Sequence, residues 1–339
     1  MKKYFLIALC IGVVSGAVAQ SQLISYLVKQ GFKQGGLLLK AKNIDDVLKE
    51  NDLDPETRKY LSLSKDLLKF ADSDLGQNTS KNYRKFIRLP RPWVTQLVIA
   101  APKNSIDPHL FSYPIVGRLP YKGFFDEGDA IKLEEELLQS GLDVYRRPVE
   151  AFSTTGWLPD PILSTMFSKV DRFIELIFHE LTHATFYFES EADFNEAFAS
   201  WMGYRGAILF LEKHPESVEN SKELLRKLSE NHLWQLRFAK IIKEVIAHAR
   251  LQYQSDLKGE KREELFSWIK TRFATEPNMK RYAELKWNNA LVSALGTYYE
   301  MVEPIDNYAK KMNLSPKEFL VKVKSQGPSI IEEIKNSTK

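Results

Sequence analysis

His179-Glu180-Leu181-Thr182-His183, followed by Asn195-Glu196, constrains the fold of this chain more than any other feature. On a helix, four residues turn through about 400°, so two imidazoles project from one face about 6 Å apart along the axis. Two histidines so placed can grip one ion. Zinc favours nitrogen ligands and tolerates a tetrahedral site with one open position. Glu180 lies beside His179 and reaches a water on the metal rather than the metal itself. That is the place of a general base that later carries the proton to a leaving amine. Twelve residues separate His183 from Glu196. The gap leaves room for the first helix to end, for a turn at Glu189-Ser190-Glu191, and for a second helix from Asp193. Glu196, in the first turn of that antiparallel helix, would face the histidine pair. Two His and one Glu are a known catalytic set for one Zn2+ per chain. HExxH alone is short enough to occur by chance in ordinary helices. The third ligand and the apolar run Leu176-Ile177-Phe178 make it specific. The other histidines lack this context: His109 falls in a loop, and His214, His232 and His248 have charged neighbours. They read as structural or solvated, although His232 or His248 can approach the site from the helical half.

Residues 1–19 carry the marks of a secretory signal peptide: Lys2 and Lys3, an apolar run from Tyr4 to Val14, and the exit Ala17-Val18-Ala19. The run is shorter than the roughly 20 residues of a membrane span. Cleavage after Ala19 predicts a periplasmic or secreted protein that starts at Gln20. It also removes Cys10, the single cysteine of the 339 residues, so no thiol remains for a disulfide or a metal site. In the alternative, Cys10 is a lipidated N-terminus, but Leu9 stands where such signals want a small residue. Loss of Lys2 and Lys3 lowers the formal charge of +4 by two, too balanced a chain to argue for nucleic acid. Lys222, Arg226, Lys227, Lys240 and Lys243 could touch a membrane, and read instead as a solvated helix face. No later stretch reaches 18 apolar residues, so no transmembrane span is expected in the mature chain.

The remainder divides by pattern. Residues 20–88 read as a polar helical region, with Asp54-Pro55-Glu56 as a helix start. Trp93–Ala101 is β-branched and apolar and reads as a strand; Phe111–Arg118 reads as another. Asp129–Ser140 is an amphipathic helix, with Gly141 as its left-handed stop. Asp143–Phe152 reads as a third strand, which Pro148 places at an edge. From Pro161 onward the chain is nearly all helical. Ser315-Pro316-Lys317-Glu318 opens the last helix as a capping box. A small sheet over about 90–155 followed by many helices makes the fold class α+β, mainly helical.

Four blocks in order carry a resemblance. They are Pro114-Ile115-Val116-Gly117 with Pro120-Tyr121-Lys122-Gly123-Phe124-Phe125; the run Ala151 to Ser164 (AFSTTGWLPDPILS); Ile177-Phe178-His179-Glu180-Leu181-Thr182-His183; and Phe194-Asn195-Glu196-Ala197-Phe198-Ala199. In these the chain resembles the bacterial family of predicted aminopeptidases, zinc peptidases of the gluzincin type, with weaker similarity toward both ends. The resemblance implies zinc ligands at His179, His183 and Glu196, and a catalytic carboxylate at Glu180. It implies a zincin-like fold: a catalytic core at 89–211, its sheet packed on the HExxH and NE helices, and a helical region at 212–339 that completes the site. Some gluzincins carry an acid four residues after the ligand glutamate to orient a ligand histidine. Here that position is Ser200, and Asp193 or Asn195 is expected to make the contact instead.

Peptidases of this type hold an extended peptide against an edge strand by main-chain hydrogen bonds. Val149–Gly156 is the expected edge, with Ser153, Thr154 and Gly156 lining the groove. An oxyanion donor beside the metal is also needed; Tyr298, Tyr299 and Tyr121 are candidates. The expected activity is hydrolysis of a peptide substrate, by an aminopeptidase if an acidic group holds the free α-ammonium. Glu150, Asp160 and Glu189 are near in sequence. An endopeptidase with an open groove, or a non-catalytic binding protein on a peptidase fold, are the alternatives.

Overall fold

The computed structural model describes residues 24–113, 116–151, 153–154, 158–255 and 258–337. The signal peptide with Cys10, and Gly156 of the expected groove, lie outside the described residues. The elements in chain order are α1 (24–38), β1 (Lys42–Asn43), α2 (Ile44–Val47), α3 (Pro55–Ser73), β2 (Lys85–Ile87), β3 (Thr95–Ala101), β4 (Phe111–Tyr113), β5 (Gly117–Leu119) and β6 (Tyr121–Phe124). Then come α4 (Glu127–Gln139), β7 (Asp143–Val149), β8 (Ile162–Leu163), α5 (Val170–Thr185), α6 (Ala192–Lys213), α7 (Ser221–Ser255), α8 (Arg262–Ala274), α9 (Lys280–Ala283), α10 (Asn289–Tyr299), α11 (Val302–Lys311), α12 (Pro316–Gln326) and α13 (Ser329–Ser337). The chain is mainly helical with small sheets. It divides into two compact units, residues 1–41 and 42–339. The first contributes α1; every later element belongs to the second. No helix among the described residues is long and apolar enough to cross a membrane.

Helix starts follow local chemistry. Asp54 accepts the Thr57 N–H ahead of Pro55, and Ser315 and Glu318 form the expected capping box. Gly141 ends the α4 segment with φ +83°.

The sheet that matters for the site has the order β6-β3-β7, all antiparallel, so β7 is an edge strand. Pro148 on β7 lies opposite Gln96 of β3. A residue without an N–H belongs at such an edge. β3 packs against α4 and α10, which is why nearly every residue of it is buried. Alternation sorts the side chains of β7. Arg146 faces α4, where it meets Glu134 at 2.7 Å and Glu127 at 3.1 Å. Arg147 faces the other way, toward α10.

The structure departs from the expected strands in two ways. Phe111–Arg118 is not one strand but a hairpin, β4 paired with β5, and Gly117 has φ +74°. A Cβ at Gly117 would also lie 2.4 Å from Ser190 Oγ, so glycine is required twice over. A further sheet, β1-β2-β8, lies outside the span 90–155, and two of its strands fall in the region read as helical.

α5 and α6 pack face to face, and glycine makes their approach possible. A Cβ at Gly203 would sit 2.6 Å from the Glu175 carbonyl oxygen, one turn before His179. Gly203→Ala is therefore expected to cost roughly 1–3 kcal/mol, the usual range for overpacking, and to weaken metal retention. Thermal unfolding alongside metal analysis checks this; an unchanged melting temperature with full metal would show that the helices part freely. A second core, built on Phe238, Ile242, Phe273, Trp287 and Leu291, joins α7, α8 and α10.

Candidate metal centre

Ile177, Phe178 and Leu181 are fully buried, which fixes the rotation of α5 and turns His179 and His183 to one side. Their Nε2 atoms lie 3.1 Å apart. α5 ends at Thr185, and the following turn passes through Ser190 at φ +63°. Asn195 staples that turn: its Nδ2 donates to the Phe188 carbonyl at 2.7 Å, and its Oδ1 accepts the Phe188 N–H at 3.0 Å. The next residue, Glu196, brings Oε2 to 3.6 Å from His179 Nε2 and 3.8 Å from His183 Nε2. The three donor atoms lie within 4.8 Å of one another. A tetrahedral ion bound at about 2.0–2.1 Å sets its donors about 3.3 Å apart, so this spacing and this nitrogen-rich donor set suit zinc.

Burial pushes the Glu196 carboxyl up, but its two imidazole neighbours outweigh burial and hold it well below the ordinary range. Tyr121 donates its hydroxyl to Glu196 Oε1 at 3.3 Å. Burial and the Glu196 charge raise the Tyr121 phenol far above its usual value and push Tyr187 up to about 12. Both stay protonated, hence donors, at neutral pH. Burial pushes the Glu180 carboxyl up to about 7; nearby His179 opposes the shift, and Glu196 and Asp160 add to it.

Ser200 corrects one expectation. Its hydroxyl donates to the Glu196 carbonyl at 2.8 Å and lies 3.4 Å from His179 Nδ1. With its proton so used, the Ser200 oxygen accepts from Nδ1–H, which leaves Nε2 as the free lone pair. The contact given to an acid elsewhere is made by the serine itself, four residues along one helix face. Asn195 is committed to Phe188, and Asp193 lines a separate cleft.

The tyrosine candidates separate. Tyr298 lies within electrostatic range of Glu196 and Glu180, and burial with the Glu196 charge holds its phenol protonated. Tyr299 packs 4.8 Å from Phe238 in the helical core. Arg147 covers the Tyr298 ring, with Cζ 4.7 Å from its centroid. Ser153 and Thr154 turn inward to Asp160: Thr154 N–H donates to Oδ2 at 2.9 Å and the Ser153 hydroxyl at 3.3 Å. Asp160 is 1% exposed, too buried to receive a substrate amine. None of the other histidines joins the centre. His232 stacks on Tyr204 at 3.8 Å and faces Asp306, His248 stacks on Trp268 at 4.2 Å, and His109 and His214 pack on Phe111 and Phe70.

Arg147 and Gln77 are site residues that the sequence reading missed. Strand alternation could have assigned Arg147 a face, but not what lies across from it. Gln77 Nε2 donates to the Phe178 carbonyl at 2.6 Å and Thr182 Oγ1 at 2.8 Å, bracing the ligand helix from 101 residues away. No local pattern encodes such a contact. A family model described as putative aminopeptidase matches residues 25–333. No curated protein and no solved structure matches the chain.

Proposed function

The chain belongs to the family described as putative aminopeptidase, and from that membership we propose that it is a zinc-dependent aminopeptidase of the gluzincin type. The observation that carries the zinc reading is the convergence of His179 Nε2, His183 Nε2 and a Glu196 carboxylate oxygen, with the buried Glu180 beside them. These three side chains would hold the ion. When bound, zinc supplies a Lewis acid that polarises a peptide carbonyl and acidifies water.

The chain's own groups do the rest. Ser200 fixes the His179 ring and Tyr121 fixes the Glu196 carboxylate, so the donors need not reorganise. Glu180 takes a proton from the attacking water at its carboxylate oxygen and returns it to the departing amine nitrogen. A pKa near 7 suits both halves of that transfer. Tyr298 donates its phenol proton toward the oxygen that gains charge, and the Arg147 guanidinium keeps the ring in place.

The test is chelation and restoration. Phenanthroline should abolish hydrolysis of unblocked peptides, and zinc added back should restore it. N-acetylated peptides should be poor substrates throughout. A rate that survives chelation would remove the metal, and equal rates on blocked peptides would make the enzyme an endopeptidase.

A further inference from the structure

Exposed apolar side chains are concentrated at α1. Among the described residues, five of the fourteen large ones fall within 24–39: Ile24, Leu27, Val28, Phe32 and Leu39. Phe32 is 78% exposed and Leu39 90%. Such side chains are ordinary when scattered singly, but a cluster marks an interaction surface. At about 100° per residue, Ile24, Leu27, Val28, Phe32 and Leu38 share an arc of about 140° with Gly31 and Gly35, and no polar side chain enters it. A helix that packed on protein through this arc would bury it. In α1 the buried residue is Gln30, outside the arc, and most of the arc is exposed.

Glycine supplies a second observation. Gly31, Gly35 and Gly36 weaken α1, which is already short for a helix that must hold itself in water. A Cβ at any of the three would meet nothing within 4 Å. Unlike Gly203, they serve no close approach between described elements. The helix therefore stands to gain from a further apolar contact.

Charge selects that contact. Residues 24–41 carry Lys29, Lys33 and Lys40 and no acid. Lys29 and Lys33 lie one turn apart on a face beside the arc, and Lys40 follows the end of the helix. The basic residues of α7 are different. There Arg226 pairs with Glu223 and Glu230, and Lys227 lies 3.6 Å from Glu223, so acids offset them. A second copy of α1 would bring three more lysines to the same place, and like charges oppose that pairing. An anionic lipid surface suits both features: it takes up the apolar arc, and lysine stems let the charges reach the headgroups. At 1.5 Å per residue α1 is about 22 Å long, short of a hydrocarbon core of about 30 Å. It fits along such a surface, not across it.

We propose that α1 is an interfacial helix that docks the protein on an anionic bilayer, with Val28 and Phe32 at the acyl boundary and the three lysines at the headgroups. The assignment goes beyond the peptidase reading and does not depend on it.

Flotation of the purified full-length chain would use vesicles of phosphatidylcholine alone and of phosphatidylcholine with phosphatidylglycerol in equal parts. The mixed vesicles should bind on the order of a hundredfold tighter, the worth of three lysines at an anionic surface, and high salt should remove most of that preference. Val28→Ser with Phe32→Ser should weaken binding to both vesicles by about tenfold or more. Its melting temperature should hold, because both side chains are already exposed. Lys29→Gln with Lys33→Gln should leave a preference of only about fivefold. Arg226→Gln should leave the preference intact. Binding that survives the Val28 and Phe32 changes, or an absence of preference for the mixed vesicles, would overturn the site. Equal loss in Arg226→Gln would also overturn it, by showing that any basic residue serves. Dimers in light scattering that the Val28 and Phe32 changes abolish, with no vesicle binding, would give the arc to a second copy instead. None of these measurements reads hydrolysis, so the peptidase reading stands or falls apart from them.

Discussion

Glu180→Gln is expected to leave the chain folded and able to bind zinc while hydrolysis falls by roughly 10²–10⁴-fold, the range for losing a positioned general base. Glutamine keeps the shape and the hydrogen-bonding reach of the side chain but cannot take a proton. The loss should fall on kcat with KM little changed, since Glu180 is not among the residues that seat the peptide. The same substitution should stabilise the metal-free protein, and the sign can be worked out. Burial raises the Glu180 carboxyl from 4.5 to about 7 in the folded chain. The folded state therefore binds its proton more tightly than the unfolded state. The penalty is absent below about pH 4.5, grows as pH rises through the interval, and is full above about 7. Removing the carboxyl should raise the melting temperature of the metal-free protein at pH 8 and leave it nearly unchanged at pH 4. An activity that persists in Glu180→Gln would overturn the base assignment. A pH-independent stability change would overturn the buried-charge account.

What the sequence could reveal follows from how far apart the interacting residues lie. His179 and His183 share a helix turn, so their spacing alone places two imidazoles on one face. Glu196 needed one further inference, a turn and a helix reversal, and the turn residue Ser190 indeed has φ +63°. The capping box at Ser315 and the edge position of Pro148 are equally local. Contacts that cross the fold had no such signal. Gln77 reaches Thr182 from the end of another helix, and Arg147 covers Tyr298 from 151 residues away in sequence. Tyr298 and Tyr299 are neighbours that differ by about 100° around α10, enough to send one toward Glu196 and the other into the Phe238 core. Ser200 was visible in the sequence but misjudged. It was read as a missing acid, although a hydroxyl that gives its proton to a helix carbonyl can accept from a histidine.

Glu196→Ala and His183→Ala are each expected to reduce zinc content after dialysis from one per chain to a small fraction. A contact behind a ligand is worth roughly 10–100-fold in metal affinity, and losing a ligand should exceed that. The two variants leave different remnants. Glu196→Ala removes the carboxylate that lies within 4.8 Å of the imidazole pair and leaves Tyr121 without its acceptor, so two imidazole nitrogens remain. His183→Ala leaves one nitrogen and one carboxylate oxygen, too few donors to enclose an ion. Ser200→Ala supplies the graded control. It keeps all three donor atoms and removes only the acceptor for His179 Nδ1. Its affinity should therefore fall within the 10–100-fold band while zinc content at saturating metal stays whole. Elemental analysis with competitive chelator titration separates the cases. Stoichiometric zinc in both ligand variants would refute the ligand set. A Ser200→Ala variant as depleted as Glu196→Ala would show that the serine holds the site together rather than orienting one ring. Metal binding to the folded chain should also stabilise it by mass action. The rise in melting temperature on adding zinc should accordingly be largest for the unaltered protein, smaller for Ser200→Ala and absent in both ligand variants.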